Sequence, residues 1–339
     1  MTKNSGTKIA VFGAGSWGSA LAIHLAKNNN QVYLWDRAED NIDAIQKSRE
    51  NIQYLPGIKL PDTLCATSSM SQALRGAKKV LIVTPSVAFR SILKHLKKSG
   101  FDSDATGIAW GTKGLEHGTN KLLHQVAEEE FSSGLKLAML SGPTFALEVA
   151  KGLPTAITVA ANNHEFACEW SQALSSDYFR AYTSDDIIGV EVSAACKNII
   201  AIAAGIADGL GFGANARSAI ITRGLREIMQ LGAAYGARTE TFMGLAGIGD
   251  LTLTCSDNKS RNRRLGLLLA RGKSVQEAKE QIGQSVEGLS AARIICELAA
   301  GKKIEMPIIY EVHRIVTGEH SPQTAVKNLL QRELKAEYI

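Results

Sequence analysis

Residues 8–18, Lys-Ile-Ala-Val-Phe-Gly-Ala-Gly-Ser-Trp-Gly, constrain the fold more than any other stretch of this chain. Ile9 to Phe12 is an apolar run that reads as a buried strand. It stops at Gly13-x-Gly15-x-x-Gly18, and Ser19 to Ala26 reads as a helix. In that strand–turn–helix context a GxGxxG spacing predicts a dinucleotide site. Gly13 permits the tight turn, Gly15 lets backbone approach a pyrophosphate, and Gly18 lets the helix pack on the strand. The helix N-terminus offers free N–H groups and a positive dipole end to phosphate. A second short strand, Gln31–Trp35, ends at Asp36-Arg37. An acidic residue at this distance holds the ribose hydroxyls of NAD, whereas Arg37 can pair with the 2′-phosphate of NADP. The cofactor expected is therefore NAD or NADP.

Strand candidates continue at 80–84, 107–110, 137–140, 156–159 and 178–182, with helical candidates between most of them, such as 86–96 and 120–131. Alternation of apolar strands with helices predicts an α/β, Rossmann-type, doubly wound and mostly parallel sheet. Near residue 183 the texture changes. Thr183-Ser-Asp-Asp186 resembles a helix cap with acidic residues in the first turn. Alanine-rich helical segments follow at 187–207, 215–235, 262–271, 275–281, 288–300 and 307–317. Two domains are expected: a dinucleotide-binding domain over 1–183, and an all-α C-terminal domain over 184–339 that carries substrate binding and catalysis. The charged tail from Gln331 is expected to be mobile.

With 339 residues the chain is long enough for two domains, and its net charge of +5 suits an anionic substrate without requiring nucleic acid. Five scattered cysteines, with no CxxC pair, argue against a disulfide framework and a zinc site, so no metal is expected. No signal peptide precedes the first strand, and no apolar run is read as long enough to span a bilayer. A soluble cytoplasmic protein is the simplest reading.

Ligands of open α/β sheets bind beyond the carboxyl ends of the strands. Three later segments lie at such ends: Thr84-Pro85-Ser86, Gly111-Thr112-Lys113-Gly114 and Ser141-Gly142-Pro143-Thr144-Phe145-Ala146, the last opening a helix with Pro at an early position. Each also reads as an ordinary βα loop. A lysine framed by two glycines lets a ligand come close, which favours a contact role for Lys113. The segment from Glu191 to Ala204 is an apolar helix with Lys197 in its middle, one turn from Ser193 and Ala201. A desolvated lysine has a lowered pKa, suited to proton donation near neutral pH, but a lysine whose head snorkels to water fits the pattern equally well. Asn198 beside it can hydrogen-bond a substrate hydroxyl. In Gly247-Ile-Gly249-Asp250, Asp250 fixes either a lysine or a substrate hydroxyl, or it caps a helix; Thr254 lies one turn on. Ser260 would cap a helix whose first turn carries Arg261 and Asn262, an arrangement that suits phosphate.

The segments GAGSWGSALA (13–22), GTKGLE (111–116), SGPTFALEVA (141–150), AACKNIIAIAAGIADGLGFGANARSAIITRGL (194–225), GLAGIGDLTLTC (244–255), SRNRRLG (260–266) and VEG (286–288) occur in an order that resembles the bacterial NAD(P)-dependent glycerol-3-phosphate dehydrogenases over nearly the whole chain. The resemblance implies interconversion of glycerol 3-phosphate and dihydroxyacetone phosphate with NAD or NADP, supply of phospholipid precursors, a cytoplasmic location and a homodimer. The small net charge and the dispersed basic residues argue against a nucleic-acid partner. The resemblance places Ser16, Trp17, Arg37, Ala146 and Glu287 at cofactor positions, with Ser285 where many members carry an apolar residue. Lys113 stands at a lysine touching both cofactor and substrate. Gly142 and Thr144 stand at substrate-loop positions, Lys197 at the proton donor/acceptor and Asp250 at its acidic partner. Ser260, Arg261 and Asn262 stand at the phosphate clamp, with Arg261 also near the cofactor. Another dehydrogenase built on a Rossmann-type sheet and helices, or a non-catalytic dinucleotide sensor, are the alternative readings.

Overall fold

The computed structural model describes residues 6–131, 134–333, 336 and 337. Short apolar runs form one sheet of eight strands: β1 (Lys8–Phe12), β2 (Gln31–Trp35), β3 (Leu64–Thr67), β4 (Lys79–Ile82), β5 (Ile108–Trp110), β6 (Leu137–Ser141), β7 (Thr155–Ala161) and β8 (Phe179–Ser184). Their order is β3-β2-β1-β4-β5-β6-β7-β8. All pairings are parallel except β6 with β7. The winding reverses between β1 and β4, where Phe12 pairs with Ile82, and in such sheets ligands bind past the carboxyl ends at that reversal. β4 is buried along its whole length, as expected for a strand covered on both faces.

The connections carry α1 (Ser16–Lys27), α2 (Ile42–Ser48), α3 (Met70–Leu74), α4 (Ser86–Lys98), α5 (Ser103–Thr106), α6 (Leu123–Glu130), α7 (Ala146–Lys151) and α8 (His164–Leu174). Among the described residues after β8 the regular elements are helices: α9 (Ile187–Gly209), α10 (Gly213–Ala234), α11 (Thr239–Phe242), α12 (Asp250–Ser256), α13 (Arg261–Ala270), α14 (Val275–Ile282), α15 (Glu287–Lys302), α16 (Pro307–Thr317) and α17 (Pro322–Leu330). Two compact units result. The first runs up to Glu191 and adds Gly244–Ala246; the second comprises Val192–Met243 and the chain from Gly247 onward.

The α/β class with a Rossmann-type sheet and a helical C-terminal part is as expected, with local differences. β3 is a four-residue edge strand beside β2; Leu64-Cys-Ala-Thr67 is too short and too mixed to show a period. The acidic pair Asp185-Asp186 precedes α9 rather than entering its first turn, and Asp186 Oδ1 accepts Gly189 N at 2.9 Å as its cap. Pro143 lies two residues ahead of Phe145, the cap of α7, and so falls outside that helix. α9 corrects the expectation that no apolar run could span a bilayer: by length and composition its 23 residues could, yet 94% of its most apolar window is buried. Its charges Glu191 and Lys197 are buried and paired, which marks a core helix. Of the leading stretch, residues 1–5 lie outside the described residues. So do Leu334, Lys335, Tyr338 and Ile339 of the tail expected to be mobile, within which Arg332 pairs with Glu305 at 2.8 Å.

Candidate active site

The glycine turn between β1 and α1 uses each glycine for a different steric reason. Gly13 has φ +112°, and a Cβ there would lie 2.6 Å from Val83 O. A Cβ on Gly18 would lie 1.9 Å from Gly13 O, so α1 packs directly on the turn. At Gly15 nothing lies within 4 Å of the position a Cβ would take, so the backbone is open to a ligand there. Gly15 also caps α1 without a side chain, leaving the first-turn N–H groups of Ser16, Trp17 and Gly18 with no side-chain cap. The indole N–H of Trp17 and the hydroxyl of Thr84 are buried without a partner among the described residues. An uncapped helix N-terminus, an open glycine and two orphaned polar atoms at the reversal of the sheet fit the pyrophosphate and nicotinamide portions of a dinucleotide.

Two residues that sequence reasoning used differently or missed hold this turn. Asp36 Oδ2 accepts Ala14 N at 2.6 Å and Oδ1 accepts Arg37 N at 2.9 Å, so this carboxylate braces the turn itself. Asn51, almost fully buried, donates to Ala14 O at 2.7 Å and to Ser19 Oγ at 2.8 Å. Asn51 lies beyond α2 with no local motif, and only the tertiary fold brings it here. The Arg37 side chain is largely exposed, 3.6 Å from Glu39.

Gly111 follows β5, and its N–H donates to Ile82 O at 2.8 Å. A Cβ on Gly111 would lie 2.9 Å from Trp17 Nε1, so the indole lies against the loop that carries Lys113 two residues on. Lys113 is half-buried, and Gly114 after it has φ +109°. Past β6, Gly142 lies so close to β7 that a Cβ would stand 2.8 Å from Ile157 Cα, while Thr144 Oγ1 donates to Gly142 O at 3.1 Å. Ala146 opens α7.

In the helical unit, Lys197 is 6% exposed and Asp250 1%. Lys197 Nζ donates to Asp250 Oδ1, and to Thr254 Oγ1 at 3.0 Å; the Thr254 hydroxyl in turn donates to Asp250 O at 2.6 Å. Of the readings open in the sequence, the lysine is buried rather than snorkelling. Asp250, at the start of α12, holds the lysine while Gly249 takes the cap position. A Cβ on Gly247 would lie 2.1 Å from Phe242 O; this close approach, at a kink ahead of α12, brings Asp250 inward. Two opposite charges out of water need such geometry, and the hydroxyl supplies the third contact.

Ser260 caps α13, its Oγ accepting Arg263 N at 3.2 Å. The Arg261 side chain, on the first residue of α13, makes no hydrogen bond or ion pair among the described residues, so its guanidinium is available beside a helix N-terminus. Asn262 Oδ1 accepts Gly288 N at 3.0 Å near the start of α15, which leaves its amide donors for a ligand. Asn198 donates to Glu287 Oε2 at 3.3 Å. Ser285 is exposed in the loop before α15.

Buried titratable groups outside these constellations were not legible in the sequence. His124 pairs with Glu191, accepted through both its backbone N–H and its ring. Burial alone would lower the His124 pKa, but the hydrogen bond and charge of Glu191 outweigh it and raise it above the ordinary value. Glu227, 4% exposed on α10, accepts Ile308 N at 2.8 Å and Ile309 N at 3.1 Å, capping α16. Burial pushes its pKa up to about 7, against these two bonds, which favour the carboxylate. Burial likewise pushes the Cys255 and Cys296 thiols up to about 12, so neither is a thiolate nucleophile near neutral pH.

The family pattern described as NAD-dependent glycerol-3-phosphate dehydrogenase N-terminus matches residues 8–167, and that of the C-terminus matches residues 186–327. Glycerol-3-phosphate dehydrogenase (NAD(P)+) of Nitrosococcus oceani is 49% identical over 328 residues, covering 97% of this chain and 95% of the relative. The crystal structure of glycerol-3-phosphate dehydrogenase from Coxiella burnetii superposes with a TM-score of 0.93 at 46% identity, covering 96% of this chain and 99% of that one. The yeast structure of glycerol-3-phosphate dehydrogenase from Saccharomyces cerevisiae, at 27% identity, gives a TM-score of 0.81 over 96% of this chain and all of its own. With both halves matched and nearly half its residues shared over almost its full length, this chain belongs to the NAD-dependent glycerol-3-phosphate dehydrogenase family.

Proposed function

We propose that Lys197 is the acid–base group, Arg261 the phosphate ligand and Lys113 a second cation for the reacting oxygen in this chain. It is an oxidoreductase that interconverts sn-glycerol 3-phosphate and dihydroxyacetone phosphate with NAD or NADP. Its product, glycerol 3-phosphate, is the precursor of the phospholipid backbone. The observation that carries the residue assignment is the buried Lys197–Asp250–Thr254 network.

Bound NAD(P)H would supply the hydride for reduction at C2 of the ketone. As the carbonyl oxygen gains negative charge, Lys197 donates a proton from Nζ to it, and takes that proton back in the oxidative direction. Asp250 compensates the buried ammonium and, with Thr254, fixes its position and orientation. Lys113 stabilises the same developing charge without giving up a proton. Arg261, the amide of Asn262 and the start of α13 at Ser260 bind the phosphate, which does not react. Binding energy from that group positions the carbonyl. Gly142 and Thr144 shape the substrate loop, and Asn198 orients a substrate hydroxyl. Gly13, Gly15, Ser16, Trp17 and Gly18 would hold the cofactor, with Arg37 toward its adenosine ribose and Ala146, Arg261, Ser285 and Glu287 as further contacts.

We assign the dinucleotide-binding domain to 1–183 and the helical catalytic domain to 184–339; the end of the last strand at Ser184 supports that division. A homodimer and a cytoplasmic location follow from the family reading. Initial rates of dihydroxyacetone phosphate reduction with NADH and with NADPH test the reaction. Arg261→Ala tests the clamp: loss of a charge-assisted contact lowers kcat/KM for dihydroxyacetone phosphate by about 10- to 100-fold. The rate with unphosphorylated dihydroxyacetone stays the same. Equal losses with both substrates would refute the assignment of Arg261.

A further inference from the structure

The helix that carries Lys197 and the helix that begins at Arg261 touch backbone to backbone. A Cβ on Gly205 of α9 would lie 2.1 Å from Arg263 O of α13, and one on Gly266 would lie 2.1 Å from Ile202 O. A Cβ on Gly209 would lie 2.5 Å from Ala270 Cβ. Ordinary helix pairs stand about 8–10 Å apart with side chains between them, and those side chains can repack. Here no side chain longer than the Ala270 methyl stands at these contacts, so the spacing cannot adjust by rotamer changes. The contacts also set a register. Ile202 meets Gly266, Gly205 meets Arg263 and Gly266, and Gly209 meets Leu267 and Ala270, so both helices advance in the same direction. Extended back along the axes, those contacts put Arg261 level with the stretch of α9 from Lys197 to Ala203. This is within about 9 Å along α9 of Lys197, at roughly 1.5 Å per residue.

Two further ties resist sliding. Asp208 near the end of α9 accepts Arg263 Nη2 of α13 and, at 2.9 Å, Arg217 Nη1 of α10. Gly288 at the start of α15 fits a slot where a Cβ would lie 2.7 Å from Asn262 Oδ1 and 2.9 Å from Asn198 O, so α9 and α13 meet the same turn of α15.

We infer that Gly205, Gly209 and Gly266, braced by Asp208, form a ruler that sets the distance from the proton donor to the phosphate clamp and selects the substrate by the length of its chain. These are positioning residues, and the inference rests on the roles proposed above for Lys197 and Arg261. In dihydroxyacetone phosphate only a methylene and an ester oxygen separate the reacting carbon from phosphorus. A ketone phosphate longer by one methylene would place its carbonyl past Lys197 when its phosphate is seated.

The test uses the full-length enzyme with Gly209→Ala, Gly266→Ala and Asp208→Asn. It compares kcat/KM for dihydroxyacetone phosphate, for dihydroxyacetone and for 4-hydroxy-3-oxobutyl phosphate, with NADH affinity measured by fluorescence. A shift of the order of an ångström remote from the reacting atoms costs up to about 100-fold. The expected result is a loss of about 10- to 100-fold with dihydroxyacetone phosphate, little change with dihydroxyacetone, and unchanged NADH affinity. The preference for the shorter phosphate over the longer one also falls. Gly209→Ala combined with Ala270→Gly removes the new contact and restores that preference. Gly266→Ala introduces the tightest clash, so Gly209→Ala and Asp208→Asn carry the test if it does not fold. Equal losses on all three substrates, or an unchanged length preference in folded variants, would overturn the ruler. A wild-type enzyme indifferent to the phosphate would instead overturn the clamp on which it rests.

Discussion

The glycine turn and the Lys197 centre present their chemistry in opposite ways. At the turn the working groups are backbone N–H bonds at the start of α1, and glycines keep side chains out of the way. At Lys197 the working groups are side chains from α9 and α12, buried and bonded to one another. A backbone site needs only residues close in sequence. A side-chain site needs helices more than 50 positions apart in the chain to arrive together. The first tolerates changes in exposed neighbours; the second leaves a charge stranded when any partner is lost.

The largest expected effect lies at the side-chain site. Lys197→Arg keeps a cation for Asp250 but cannot release a proton at neutral pH, because a guanidinium stays protonated. Turnover should fall by at least about 100-fold, the scale of general acid–base catalysis, while NADH affinity persists. Lys197→Ala should lose turnover similarly and also lower the melting temperature, since it strands the buried Asp250 carboxylate. Steady-state rates, cofactor titration and thermal melts read these together. Retained turnover in Lys197→Arg would mean that the charge matters and the proton transfer does not, which would remove the functional half of the contrast.

Helix N-termini show the same contrast at smaller scale. α1 begins on Gly15 with no side-chain cap, whereas the N–H groups at the start of α16 are taken by buried Glu227. The folded-state pKa of Glu227, about 7, lies above the ordinary 4.5, so ionisation opposes folding. Below about pH 4.5 the group is protonated in both states and costs nothing. As pH rises from 4.5 to 7 the unfolded chain ionises first, and stability falls. The shift corresponds to about 3 kcal/mol as an order of magnitude. Glu227→Gln should flatten that part of the stability curve relative to wild type in denaturant titrations at several pH values. Parallel curves would show that the two backbone bonds offset burial in full.

How much could be read without the structure follows from the same distinction. The turn is a local pattern, so Gly13, Gly15 and Gly18 and the βαβ order around them were legible from spacing alone. Lys197 was visible as an odd residue on an apolar helix, but burial and snorkelling were equally consistent with its neighbours. Only the packing of α12 decides between them. Local context left Asp250 as a lysine holder, a substrate contact or a helix cap and made Arg261 suited to phosphate; the family resemblance narrowed these alternatives, which periodicity had no means to do. Asn51, Glu227 and the His124–Glu191 pair have no sequence signal, because each depends on a contact made across the fold. Asp36 shows the opposite case, since a familiar spacing suggested a ribose ligand and the structure adds a contact that the spacing did not foretell, the carboxylate bracing the turn through Ala14 N.

That last point yields the smallest and most discriminating expectation, at the backbone site. If Asp36 acts by holding the turn, Asp36→Ala should weaken NADH and NADPH together, because both share the pyrophosphate that the turn receives. Arg37 is largely exposed; if it pairs with a 2′-phosphate, Arg37→Ser should weaken NADPH by about tenfold, the worth of roughly 1.4 kcal/mol for a charge-assisted contact. It should leave NADH within about twofold. Dissociation constants for both cofactors on both variants separate the two roles. Selective loss of NADH in Asp36→Ala would mean that the carboxylate reads the ribose rather than braces the turn. The glycine turn would then depend on a side chain as directly as Lys197 depends on Asp250.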